Sequence, residues 1–304
     1  MVRLAELSKE ELFAPGHRMC AGCGAGIAVR MALKAVRGPT VVVNATGCVE
    51  VASTIYPYTA WRLPWLHITF ENAGAAAGGV EAAFKALERK GLAKKPDIIA
   101  FGGDGGTFDI GLQSLSGALE RGHDFVYICY DNEAYMNTGI QRSGGTPHGA
   151  STTTSPAGTV IPGKPEWKKD LAAIAAAHRI PFAATASIAY WNDYITKVQR
   201  AIAVDGPAVV HVIAPCPRGW RYDPSQTVRI ARLAVQTRIF PVYEVDNGRY
   251  KLNVRVREAL PVTEYLKPQG RFRHLFKAEF RGELERIQKN VDENWERLAR
   301  LCEQ

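Results

Sequence analysis

The sequence lacks any stretch approaching the ~18 uncharged apolar residues that crossing a bilayer requires. Its opening residues, MVRLAELSKEELFAPGH, are charged and contain no apolar core of a secretory signal. Both absences lead to the expectation of a cytoplasmic protein with no membrane partner. No internal repeat and no low-complexity block interrupts the chain, which argues against a solenoid. The formal net charge of +8 comes from Lys and Arg residues that are spread out, with no basic run interleaved with aromatics. Single-strand nucleic-acid binders need such a run, so no nucleic acid is expected as a partner. A solvated basic surface, an acidic protein partner or an anionic substrate all fit the charge.

Cysteine is scarce too, at six in 304 residues. In a chain read as cytoplasmic, disulfides are rare, and metal binding or catalysis becomes the better use of thiols. Cys20 and Cys23 form a tight pair, whereas Cys48, Cys129, Cys216 and Cys302 are scattered.

The chain is 46% hydrophobic and 22% charged, an ordinary globular balance. Short apolar runs at Thr40–Val43, Leu66–Phe70, Asp97–Phe101, Phe125–Tyr130, near Phe182 and at Ala208–Ala214 read as strands. Helical patterns lie between them, at 27–36, 80–88, 112–121, 171–178 and 192–203. Strands alternating with helices predict an α/β fold, a mostly parallel sheet covered on both faces. The region 138–165 is rich in Gly, Ser, Thr and Pro, long for a plain connection, and expected to be functional or mobile. Beyond Cys216 the pattern becomes less regular and ends in an amphipathic, charge-laced helix from Gly282 to Cys302, a docking or covering arm. The expected division is 1–220 for a ligand-binding domain and 221–304 for a C-terminal extension with a docking helix.

Asp104 lies between glycines directly after one strand, and Asn132 directly after the next. Neighbouring parallel strands would deliver a carboxylate and an amide oxygen to one edge, where open α/β sheets bind ligands. Hard oxygens of this kind suit Mg2+, which keeps phosphate oxygens and water as further ligands. Gly103, Gly105 and Gly106 let the backbone approach those phosphates. A lone Gly-Asp-Gly is usually only a turn; with Asn132 at the next strand end it is far more specific. Cys20 and Cys23 can converge on one metal, and Cys48 and Cys216 each follow a strand of the same sheet. Four thiolates suit Zn2+ or a [4Fe-4S] cluster equally well on chemistry alone. The zinc reading would make the chain a non-catalytic, zinc-stabilised nucleotide-binding module. Cys129, inside an apolar strand, reads as buried filler and Cys302 as a bystander. His67 alternates within a strand and reads as a core histidine, and His17 as structural.

Gly103-Asp104-Gly105 with Asn132 resembles the signature of thiamine diphosphate enzymes. The string Tyr130-Asp131-Asn132-Glu133-Ala134-Tyr135-Met136-Asn137-Thr138-Gly139-Ile140-Gln141 is similar to the beta subunits of pyruvate:ferredoxin oxidoreductases, of the 2-oxoacid:ferredoxin oxidoreductase family. The likeness covers nearly the whole chain, including Cys20-Ala21-Gly22-Cys23-Gly24, Ala45-Thr46-Gly47-Cys48 and Pro215-Cys216-Pro217. It implies the thiamine diphosphate-binding fold, with Mg2+ held by Asp104, Asn132 and the carbonyl of Ala134. Gly105, Gly106, Met136, Asn137 and Thr138 would line the diphosphate and thiazolium, Thr46, Gly47, Cys48 and Val49 would border the cofactor, and Asn137 would face the substrate. It makes Cys20, Cys23, Cys48 and Cys216 the ligands of one [4Fe-4S] cluster. The implied reaction is oxidative decarboxylation of a 2-oxoacid, with the acyl group passing to coenzyme A and electrons to ferredoxin. Pyruvate is favoured by Tyr56-Pro57-Tyr58-Thr59-Ala60-Trp61, with oxalate, 2-oxoglutarate, a branched-chain oxoacid or an aryl glyoxylate as alternatives. Partners of alpha, gamma and delta type are implied as well. One of them would supply the glutamate that activates the aminopyrimidine, leaving Glu71 as a pocket-lining residue.

Overall fold

Short β-branched runs that end in glycine-rich turns assemble into one eight-stranded sheet in the computed structural model, which describes residues 2–303. The strands are β1 (Thr40–Ala45), β2 (Trp65–Ile68), β3 (Asp97–Gly103), β4 (Val126–Asp131), β5 (Phe182–Ser187), β6 (Ala208–Ile213), β7 (Tyr243–Asp246) and β8 (Arg249–Leu252). Their order is β2-β1-β3-β4-β6-β5-β7-β8. The first six pair in parallel, and β7 and β8 add an antiparallel edge.

Helices cover both faces, as near-continuous apolar strands require. They are α1 (Gly24–Leu33), α2 (Cys48–Ser53), α3 (Ala73–Arg89), α4 (Leu112–Glu120), α5 (Leu171–Ala177), α6 (Trp191–Ala203), α7 (Pro217–Trp220), α8 (Thr227–Gln236), α9 (Val262–Leu266) and α10 (Arg281–Glu303). Alternate side chains divide the strands between the two layers. Val42, Ile99, Phe101, Ile128 and Val210 pack with Val29 of α1 and Ile195 and Val198 of α6. Val43, Ile98, Ala100, Tyr127 and Val209 face Ala77 of α3, Leu115 of α4 and Leu171 of α5. A third cluster joins Trp220, Ile230, Phe240, Tyr265, Phe272 and Ile287, all from the C-terminal third or its edge.

The stretch beyond Cys216 is more regular than its sequence pattern indicates. It contains α8, α9 and the β7–β8 hairpin, which closes through Asn247 and Gly248 at φ 48° and 82°. Cys48, which follows β1 as expected, opens the short helix α2. The region 138–165 has no regular helix or strand, yet Ser143, Thr146, His148, Thr152 and Lys164 within it are buried. Among the described residues no helix is long and apolar enough to cross a membrane.

Candidate active site

Four parallel strands end side by side. Gly103 of β3 pairs with Tyr130 of β4, Asn44 of β1 with Phe101 of β3, and Asp131 of β4 with Ile213 of β6. Thr46–Cys48, Asp104, Asn132 and Cys216 therefore leave the sheet at one edge. There, Thr46, Gly47, Cys48, Gly103, Asp104, Gly105, Gly106, Asn132, Ala134, Met136, Asn137 and Thr138 line a cavity of about 270 Å3 together with Phe70, Tyr130 and Tyr135. Val49 is different: its side chain is fully buried in the core beneath.

Two glycines make the cavity possible. A Cβ on Gly105 would stand 2.5 Å from the Tyr135 ring, and one on Gly106 would stand 2.8 Å from the Phe70 carbonyl. Both open the π-helical turn Gly105–Ile110, a geometry concentrated at functional sites.

At the cavity floor, one end of the Asn132 amide lies 3.0 Å from Asp104 Oδ1 and 2.9 Å from the Ala134 carbonyl oxygen. With nitrogen at that end the amide donates to both. With oxygen there, three oxygens converge, an arrangement that a cation among them makes favourable. Asp104 is only 1% exposed, and burial, followed by the charge of Asp131, pushes its carboxyl well above the ordinary range. The Ser143 hydroxyl donates to it, but no Lys or Arg pairs with it. Three carboxylates (Asp104, Asp131, Glu133) are buried here, and among the described residues Lys168, His211 and Arg271 pair with Asp131 and Glu133 but not with Asp104. A divalent cation would supply Asp104 with the opposite charge it lacks.

Around Asn132 the structure recruits residues that the sequence reading passed over. Asp131 accepts from His211 Nε2 at 2.7 Å and from Lys168 Nζ at 2.5 Å. Burial alone would raise its pKa, but Lys168 and His211 outweigh burial and hold it low. Glu133 pairs with Lys168 at 2.6 Å and with Arg271 at 2.5 Å, and the Trp220 indole donates to the Asn132 carbonyl. These contacts span 35 to 138 positions, so no local motif announces them.

The cysteine groups meet beside the same cavity. Gly24 sits against the Ala214–Pro215 backbone, its N–H bonding the Pro215 carbonyl at 3.0 Å, which sets the Cys20–Cys23 turn next to Cys216. Cys48 has its thiol pushed up to about 12, first by burial, then by Cys23, Cys216 and Cys20 in that order. Cys216 caps α7, accepting the Gly219 N–H at 3.3 Å, and Met136 of the cavity wall packs its sulfur on Gly219. Four thiols thus share one electrostatic neighbourhood; cluster ligation would require their deprotonation. Among the described residues no three or more His, Cys, Asp or Glu side chains are gathered closely enough to hold a single metal ion. Cys129 is wholly buried in β4, and Cys302 packs on the core from α10.

Two readings change. His67 is not a core residue: β2 is the sheet edge, and the ring stacks on Trp65 and lies 2.7 Å from the Thr46 hydroxyl. Glu71 does not line the cavity. Its neighbour Phe70 does, while the Glu71 carbonyl accepts from the Ser114 hydroxyl at 2.6 Å. His17 stacks on Phe13. A larger cavity of about 580 Å3 lies under α10, reaching Lys168 and His211 but none of the residues proposed from the motifs.

Residues 45–212 match the family of thiamine pyrophosphate enzymes, C-terminal TPP binding domain, and the α/β architecture and strand-end cavity agree with that class. At full length the chain is 54% identical to pyruvate synthase subunit PorB of Methanocaldococcus jannaschii, over 97% of this chain and 98% of that one. It is 50% identical to pyruvate synthase subunit PorB of Thermotoga maritima, over 98% and 94% of the two chains. It is 47% identical to ketoisovalerate oxidoreductase subunit VorB of Pyrococcus abyssi, over 99% and 96%. The chain belongs to this PorB/VorB family of 2-oxoacid oxidoreductase subunits. A solved 2-oxoglutarate:ferredoxin oxidoreductase from Magnetococcus marinus shares the fold, with a TM-score of 0.55 and 21% identity over 74% of this chain and 78% of that one.

Proposed function

We propose that this chain is the beta-type catalytic subunit of a pyruvate:ferredoxin oxidoreductase. The observation that carries the reading is the convergence of the Asn132 amide on Asp104 Oδ1 and the Ala134 carbonyl oxygen, at the floor of a cavity lined by Cys48, whose thiol feels Cys20, Cys23 and Cys216. Asp104, Asn132 and the Ala134 carbonyl would hold Mg2+ and, through it, the diphosphate of thiamine diphosphate. Thiamine diphosphate, when bound, supplies the carbanion that attacks a 2-oxoacid and accepts the electrons left by loss of CO2. Gly103, Gly105 and Gly106 give the diphosphate backbone access. Thr46, Gly47, Met136 and Thr138 confine the ring system, with Val49 supporting this wall from the core, and Tyr130 and Phe70 exclude water. Asn137, exposed at the cavity mouth, would orient the substrate. Cys20, Cys23, Cys48 and Cys216 would ligate one [4Fe-4S] cluster, with Cys48 belonging to both the cavity wall and the cluster.

We assign residues 1–220 to the cofactor and cluster domain, and 221–304 to an extension whose α10 docks partner chains. Alpha, gamma and delta type subunits would complete the enzyme in the cytoplasm, with coenzyme A and ferredoxin as acceptors. Glu71 points to the need for a partner: with no glutamate of this chain among the residues lining the cavity, the activating glutamate would come from another. Exposed Val51, Tyr56, Tyr58 and Leu66 near the edge strand β2 offer apolar surface for such a chain. The test is a panel of 2-oxoacids offered to the complex purified anaerobically. Pyruvate should support coenzyme A-dependent ferredoxin reduction at a higher kcat/KM than 2-oxoisovalerate or 2-oxoglutarate. A preference for a branched-chain substrate would move the chain to the ketoisovalerate side of the family, and no activity on any 2-oxoacid would refute the reading.

A further inference from the structure

We propose that Trp220 and Arg271 are positioning residues that hold Asn132 ready for its cation and tie that loop to the Cys216 turn. This rests on the proposed function to the extent that Asn132 is taken as a cation ligand. The argument starts at the backbone. Asn132 is held from outside its own loop: its carbonyl accepts the Trp220 indole N–H at 2.7 Å. Glu133 follows in the left-handed region at φ 65°, a conformation that a non-glycine residue keeps only when its surroundings enforce it. The enforcement is visible. One Glu133 carboxylate oxygen accepts from Arg271 at 2.5 Å, the other from Lys168 at 2.6 Å, and its carbonyl accepts from the Thr146 hydroxyl at 2.7 Å.

Arg271 does two things at once. Its guanidinium reaches Glu133 and lies 3.9 Å over the Trp220 ring, while its Nε donates to Gln269 at 2.9 Å. It therefore fixes the residue after Asn132 by charge, and the donor to Asn132 by stacking. Trp220 in turn ends α7, and its own N–H bonds the carbonyl of Cys216 at 2.9 Å. Glu133, Trp220 and Arg271 are each at most 2% exposed, so a displacement of one has no solvent to relax into and must move the others. A cation drawing the Asn132 oxygen inward would be felt at Cys216, and the reverse.

Calorimetric titration of the assembled complex with thiamine diphosphate at graded Mg2+ concentrations tests this. Trp220→Phe keeps an aromatic ring under Arg271 but removes the indole N–H along with part of the ring; Arg271→Lys keeps the charge and loses the stacked fork. Losing a buried hydrogen bond of this kind should raise the Mg2+ needed for half-saturation by at least about tenfold, with affinity recovered at saturating Mg2+. A merely structural role would lower the melting temperature of the cofactor-free protein and leave the Mg2+ dependence at the wild-type value, which overturns the proposal. Should a variant fail to assemble, hydrogen exchange on the wild-type complex decides. Mg2+ with thiamine diphosphate should slow exchange in residues 217–222 and 269–274 along with 131–138, and unchanged exchange in the first two segments overturns the coupling. Wild-type complex that takes up no thiamine diphosphate at any Mg2+ concentration would instead refute the proposed function itself.

Discussion

Asp104 and Asp131 end neighbouring strands and are both buried, yet their environments push them in opposite directions. Asp131 has Lys168 at 2.5 Å and His211 at 2.7 Å; Asp104 has the Ser143 hydroxyl and the Asn132 amide but, among the described residues, no salt bridge, and Asp131 lies nearby. A carboxylate left without a cation in so dry a place is costly unless something else supplies the charge. That asymmetry suits Asp131 as an anchor of its strand end and Asp104 as the proposed metal ligand.

Asp104→Ala should therefore cost ligand binding rather than folding. Thiamine diphosphate affinity should fall at least about tenfold, a loss of ~1.4 kcal/mol or more. The melting temperature without cofactor should hold or rise, because an unpaired buried carboxyl has gone. Calorimetric titration beside a thermal melt measures both. Unchanged affinity would remove Asp104 from the site.

Lys168→Met should behave in the opposite way. It strips a shared cation from Asp131 and Glu133, and breaking a buried pair in this manner costs roughly 3–5 kcal/mol. Chemical denaturation should register the loss in the cofactor-free protein, before any ligand is added.

Cys20→Ala, Cys23→Ala, Cys48→Ala and Cys216→Ala should each remove most of the iron, whereas Cys129→Ala and Cys302→Ala should retain it. Iron analysis after anaerobic purification decides, and full iron content in Cys216→Ala would exclude that ligand.

Lys164 gives a pH signature. Its amine is buried, donates to the Thr146 carbonyl at 2.6 Å, and burial lowers its pKa to about 8 from the ordinary 10.5. Between these values the unfolded chain binds the proton that the folded chain has released, so stability gains with rising pH. The melting temperature of wild type relative to Lys164→Met should rise from pH 8 to pH 10.5 and level off below pH 8. A flat difference across that window would contradict the assignment.

The six parallel strands and their covering helices were legible in the sequence because buried strands are short apolar runs cut off by glycine or asparagine. The strand-end residues were legible for a related reason: a Gly-Asp-Gly turn and an Asn after consecutive strands imply a common edge. The β7–β8 hairpin was missed although Asn247-Gly248 marks it, since the flanking residues mix charge with aromatics and hide the alternation. Cys48 opens a helix because the six residues after Gly47 pack Val49 and Ser53 inward, too short a run for periodicity to declare. Lys168, Trp220 and Arg271 could not be found locally, because each matters through a partner brought near only by the folded sheet. His67 was misplaced for a similar reason: alternation cannot tell an edge strand from a central one.

The most direct test of the account is to mix the anaerobically purified complex with pyruvate and follow the visible absorbance of the protein. The account predicts a brown protein whose colour bleaches as electrons from pyruvate reach the cluster, with bleaching lost in Asp104→Ala at limiting thiamine diphosphate. A colourless protein containing zinc and no iron, or bleaching that persists after thiamine diphosphate is removed, would contradict it.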